Sequence, residues 1–214
     1  KKLLNQNNSI FFTSFKLLFY RCYLTLKNVK LYIFYPTLLF LEILYLAEEA
    51  LAYLVSIIIP IKQKPHELYG TISFSSIETL FKTISLSPQG IVCDLGSGKG
   101  KFLLYCMLVH KCKTIGIESN RYYNFIYGVF IRFFFKHSSC ELIKSDIISQ
   151  QIPCCDLLFI SGLCFHNSTL EFIQNELNTR SIKPIFISAG VQFNLQNYKQ
   201  EIIVETDLSW GKEK

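Results

Sequence analysis

Three signatures that assign many chains at sight are missing from this one. No glycine-lysine pair is followed by serine or threonine, because Gly98-Lys99 runs into Gly100 and Gly100-Lys101 into Phe102, and this excludes a phosphate-cradling P-loop. A dinucleotide fingerprint, Gly-x-Gly-x-x-Gly, would need its third glycine at position 101, which is lysine. The eight cysteines include no Cys-x-x-Cys and no histidine at ligand spacing, so no metal centre is expected. They read as reduced core thiols of an intracellular protein, since the chain is neither short nor loop-rich and shows no signal peptide. Repeats and low-complexity tracts are absent. The chain opens Lys-Lys without an initiator methionine, which reads as a fragment.

Charge is also scarce, at 18% of 214 residues against 50% hydrophobic. Its positive excess is local: residues 1–64 carry eight Lys or Arg against three acids, and residues 65–214 fourteen against thirteen. The larger part therefore lacks the basic footprint of a nucleic-acid binder. The expected organisation is a basic, hydrophobic helical segment over 1–64 and an α/β domain over 65–214.

The segment 91–102 organises that domain. Apolar, β-prone residues lead into Gly96, Gly98 and Gly100 at alternate positions, and apolar residues then recur at helical spacing to His110. Strand, glycine turn and helix make a cradle where backbone approaches a ligand closely and helix N–H groups face it. A second strand ends in Glu118, at the distance where a doubly wound fold places a ribose-binding acid. A third ends in Ser145-Asp146-Ile147. Further strands are expected over 155–162, 184–190 and 199–207, with helices over 76–84, 120–135 and 169–177. Helices and strands alternate, as a Rossmann-like, doubly wound, mostly parallel sheet requires.

The pattern Asp-x-Gly-x-Gly-x-Gly, with Glu118 and Asp146 following in order, resembles the cofactor site of the class I S-adenosylmethionine-dependent methyltransferases. That resemblance implies S-adenosylmethionine as cofactor, held by Asp94, Gly96, Ser97, Gly98 and Gly100, with Glu118 on the ribose, Asp146 on the adenine amine and Ile147 over the ring. Together with Tyr69-Gly70, Gly116-Ile117-Glu118 and Cys164-Phe165, it is most similar to the disruptor-of-telomeric-silencing type of lysine methyltransferase, over roughly 66–210. By that likeness Tyr69 and Thr71 belong to a cofactor-capping loop and Phe165 to a lysine channel. The chain departs from the type at Thr71, where glutamate is usual, and at Ser161-Gly162-Leu163, which replaces an asparagine-rich motif.

In open α/β sheets the ligand lies at the carboxyl ends of the strands, so Ser161, Phe165 and His166 are the candidates at the reaction centre, with His166 a candidate base. No Asn/Asp-Pro-Pro-aromatic motif of base amino-methylation follows the fourth strand. Pro153-Cys154 precedes that strand, at the wrong edge for a cytosine-methylating nucleophile. A protein acceptor is thus favoured over nucleic acid. A second reading keeps the fold and the cofactor but not catalysis.

In the N-terminal part, Lys16, Lys27 and Lys30 fall within about 60° on a helical projection of 10–35, with apolar residues around the rest. That pattern suits a helix lying on an anionic membrane surface and equally an N-terminal helix packed on its own domain. In 37–61, Glu42, Glu48 and Glu49 cost about as much insertion energy as the apolar residues return. A hairpin or in-plane helix is expected rather than a span, and with it a cytoplasmic protein held peripherally at the inner membrane surface.

Overall fold

Five parallel strands carry the larger part of the chain. The computed structural model describes residues 20, 22–58, 71–87, 89–134, 140–162, 165–198, 202–208 and 211–213. The chain forms two compact units, one of residues 1–62, 70–78 and 205–213, the other of residues 63–69, 79–204 and 214.

In the second unit, β1 (Ile91–Leu95), β2 (Lys113–Ile117), β3 (Cys140–Ile143), β4 (Leu157–Ser161) and β5 (Ile185–Ala189) assemble in the order β3-β2-β1-β4-β5. Every neighbouring pair is parallel. The order reverses between β1 and β4, whose carboxyl ends flank the crevice where such sheets take ligands. These two strands are almost wholly buried, as expected where helices cover both faces and strands read as apolar runs. Helices α4 (Lys101–His110), α5 (Arg121–Phe134) and α6 (Asn167–Thr179) supply the crossovers. Phe102 of α4 stacks on Phe159 of β4, ring centroids 4.1 Å apart. Cys93, Leu95, Ile117, Leu158 and Ile160 of the sheet close one core with Ile173 and Leu177 of α6.

Cations finish α6. Lys183 Nζ donates to the Asn178 carbonyl at 2.9 Å, and Arg180 Nη1 reaches back to the Pro153 carbonyl at 3.1 Å, holding the approach to β4. Both charges sit at the negative end of the helix dipole.

The first unit contains α1 (Val29–Phe34) and α2 (Pro36–Ile58), preceded by helical residues 22–27. The start of α3 (Phe74–Thr83) also belongs to it, with β6 (Thr206–Leu208) and β7 (Gly211–Glu213). Here one expectation is corrected. Among the described residues of the expected sixth strand, 202–207, the first four are not strand; Thr206–Leu208 is, and it pairs antiparallel with β7 in a two-stranded sheet of its own, while 199–201 lie outside the described residues. The backbone of Asp207 is committed elsewhere, its carbonyl accepting from Ser73 N–H at 3.0 Å and its N–H donating to Ser76 Oγ at 2.7 Å. Its carboxylate pairs with Lys27 and accepts from the Tyr20 hydroxyl at 3.2 Å. That bond raises the Lys27 ammonium above its ordinary value. Burial, with the Asp207 charge second, pushes Tyr20 up to about 12.

Candidate active site

The loop after β1 takes positive φ at Gly96 (75°), Gly98 (54°) and Gly100 (77°), a region that costs other residues about 1–2 kcal/mol each. The three glycines meet three different neighbours. A Cβ on Gly96 would stand 2.5 Å from the Phe165 ring. Gly98 N–H donates to Glu118 Oε2 at 2.8 Å. A Cβ on Gly100 would stand 2.1 Å from the ring of Tyr127, a fully buried side chain of α5. The N–H groups of Gly96 and Ser97 both donate to the Ile117 carbonyl, at 2.8 and 3.0 Å. The loop is therefore pinned to the end of β2.

Glu118 follows β2 directly and is nearly buried. Its other oxygen, Oε1, accepts the Asn120 N–H at 2.7 Å, so both oxygens are anchored by backbone donors. Asn120 caps α5, its Oδ1 accepting from Tyr122 N–H at 2.9 Å. One turn on, Asn124 donates Nδ2 to the Glu118 carbonyl at 2.8 Å. The boundary at Asn120 was readable from sequence as a helix start. Asn124 and Tyr127 were not, because nothing local marks which residues of an aromatic helix face a distant loop.

Asp94 is buried on β1 beneath the loop. Burial holds its carboxyl well above the usual range, and the charge of Glu118 adds to the shift. Glu118 is raised as well, burial outweighing the N–H groups of Asn120, Gly98 and Ser119. Two neighbouring carboxylates that are costly to ionise together form a site that gains from a bound cation.

This electrostatic arrangement gives a prediction of opposite sign for stability and binding. The Asp94 pKa is higher folded than unfolded, so as pH rises above the ordinary value of 3.8 the unfolded state loses its proton first. Stability is then lost until the folded pKa is passed. Asp94→Asn removes that loss and is expected to raise the ligand-free melting temperature at neutral pH, while weakening any cationic ligand. Thermal melts of both proteins from pH 4 to 8 check it: the gap should widen as pH rises through the acid range.

The remaining expected residues fall as follows. Ser161 ends β4, paired with Ala189 of β5, and Phe165 N–H donates to the Gly162 carbonyl at 3.1 Å. His166 precedes α6 and is exposed, its carbonyl accepting from Thr169 at 3.0 Å. Asp146 is exposed and caps a short 3-10 turn, Ile147–Ser149, by accepting from Ile148 N–H at 3.2 Å. Ile147 lies in the core, and the exposed apolar side chain beside Asp146 is Ile148. Ser97 Oγ is buried with no hydrogen-bond partner among the described residues, close against Gly116. Thr71 lies in the first unit. Tyr69 lies outside the described residues.

A parallel sheet with its switch point at β1/β4, a glycine loop leaving β1 and an acid closing β2 define a Rossmann-like methyltransferase fold. The model of the family Histone methylation protein DOT1 matches residues 61–188, more than half of the chain, and the protein belongs to that family of S-adenosylmethionine-dependent methyltransferases. No curated protein matches it. Among solved structures, the Escherichia coli methyltransferase yhhF is similar at 14% identity and a TM-score of 0.50, over 65% of this chain and 84% of that one. A methyltransferase from Geobacter sulfurreducens in complex with S-adenosyl-L-homocysteine gives 17% and 0.46, over 55% and 48%. Coclaurine N-methyltransferase gives 17% and 0.41, over 47% and 32%. The chain thus spans half or less of the latter two.

S-adenosylmethionine is the cofactor, and the residues present fit it. Glu118 offers a carboxylate, anchored by backbone N–H groups, to the ribose hydroxyls, and Asp94 offers a buried negative charge to a ligand carrying a sulfonium and an ammonium.

Proposed function

We propose that this protein transfers the methyl group of S-adenosylmethionine to a protein amine, with lysine as the acceptor class. The observation that carries the reading is the packing of Phe165 on Gly96, which sets an aromatic side chain from the exit of β4 against the cofactor loop. The family's name, which refers to histone methylation, supports a protein acceptor.

Bound S-adenosylmethionine supplies a methyl group on a sulfonium, with a neutral thioether as leaving group. The tasks left to the chain are position and electrostatics. Glu118, fixed by Gly98 and Asn120, orients the ribose. Asp94 and Glu118 balance the positive charge of the bound cofactor. Phe165 keeps water off the loop at Gly96, and an apolar wall there favours the neutral form of an incoming amine. His166, exposed just before α6, is the residue assigned to take the proton released afterwards. No base is needed in the displacement itself.

The test is incubation of the full chain with methyl-labelled S-adenosylmethionine and fractionated cell extract. Label in protein, recovered as methyl-lysine after hydrolysis, is expected. Label in RNA, lipid or small molecules overturns the acceptor class. Binding of S-adenosylhomocysteine with no label transferred at all would favour the second reading, a fold kept for binding.

A further inference from the structure

The helices of the first unit bury Leu24, Leu31, Leu38 and Leu41 together with two polar side chains, and they carry further apolar side chains on the outside. Asn28 is fully buried and donates Nδ2 to the Tyr32 hydroxyl at 3.1 Å. Glu42 is buried too, and its charge adds to the burial that raises Tyr32. On α2, Phe40, Ile43, Ala47 and Leu51 fall within about 80° of one another, with Glu42 and Glu49 on the opposite side. Phe40, Ile43 and Leu51 are 46, 52 and 62% exposed. Leu26, Val29 and Ile33 make the corresponding stripe before and within α1, with Leu26 and Ile33 71 and 73% exposed. A helix pair folded for water places its apolar stripe inward and its acids outward. Here each helix has a second apolar stripe that faces outward, beyond the leucines it buries.

We infer that this outward face docks in the plane of an anionic membrane surface, a property independent of the proposed methyl transfer. Among the described residues no helix is long and apolar enough to cross a membrane. The thirteen residues 22–34 would reach only about 20 Å of the roughly 30 Å needed. An in-plane seat remains, with Leu26, Ile33, Phe40, Ile43 and Leu51 in the acyl boundary and the buried Glu42 on the other side of α2. Charge complementarity selects anionic lipid. Residues 1–64 carry eight basic side chains against three acids, no acid falls on either stripe, and the exposed Lys30 borders the α1 stripe. A second copy of the same surface would bring together two faces of like charge.

Co-sedimentation of the full chain with phosphatidylcholine vesicles, with and without phosphatidylserine, tests the inference. Binding that requires phosphatidylserine is expected. The double variant Ile33→Ser/Ile43→Ser should lose at least about tenfold in partition for each side chain, with S-adenosylhomocysteine affinity unchanged. As a local reporter, Phe34→Trp, at a site 70% exposed, should shift its emission to the blue and be quenched by brominated lipid. Vesicle binding that survives the double variant, an indole reporter left unquenched by brominated lipid, or no binding at all overturns it. So does a concentration-dependent dimer abolished by the same double variant, which would assign the face to a second copy.

Discussion

Glu118→Ala is expected to weaken binding of S-adenosylhomocysteine by roughly two to four orders of magnitude. The lost interactions are two charge-assisted hydrogen bonds worth about 1.5–3 kcal/mol each. The same change removes the acceptor of the Gly98 N–H, so the loop loses an anchor as well as the ligand its clamp. Asp146→Ala should cost only about tenfold, for one hydrogen bond weakened by solvent, since its carboxylate is exposed and also caps a turn. Titration calorimetry on both variants, shown by circular dichroism to be folded, decides the matter. An equal or smaller effect at Glu118 would mean that the ribose sits elsewhere.

Gly100→Ala is expected to be the most damaging single methyl in the sheet domain. Its cost combines about 1–2 kcal/mol for a left-handed backbone with about 1–3 kcal/mol of overpacking, because the new atom would stand 2.1 Å from a ring carbon of Tyr127. Against a typical stability of about 5–15 kcal/mol, that is enough to lower the midpoint of a urea melt sharply. Tyr127→Val removes the obstructing ring, so the double variant should be less destabilised than the sum of the two single changes. Additive costs would show that the ring is not what forces glycine there.

These two residues mark how far the sequence could be read. Glu118 was legible because its role depends on spacing along the chain: a strand end about 20 residues past the glycines, in a fold whose strands announce themselves by apolar runs. All five parallel strands and the helices between them appear within a few residues of where periodicity puts them. Gly100 was legible as a member of the motif but not in its reason. The contact that forbids a side chain there comes from Tyr127, 27 positions on, and no local pattern distinguishes that tyrosine from Tyr122 or Tyr123 on the same helix. Asn124 was invisible for the same cause. The end of the chain was misread because strand propensity says only that residues near 206 are extended. Which sheet they join is settled by Ser73, Ser76 and Lys27, more than a hundred positions away.

Asp207 sets a limit on how this chain can be shortened. A fragment beginning at Pro65, the boundary that composition suggests, would keep the carboxylate and discard both Lys27 and Tyr20, its cationic and phenolic partners. A carboxylate 3% exposed would then have lost its counter-charge, at a cost on the order of 1–3 kcal/mol after allowing for the half-exposed lysine. The β6–β7 hairpin would be the first element to feel it. Trimming at Pro65 therefore exchanges a hydrophobic N-terminus for a frayed C-terminus. Asp207→Asn, made together with the truncation, is the substitution that should repair it.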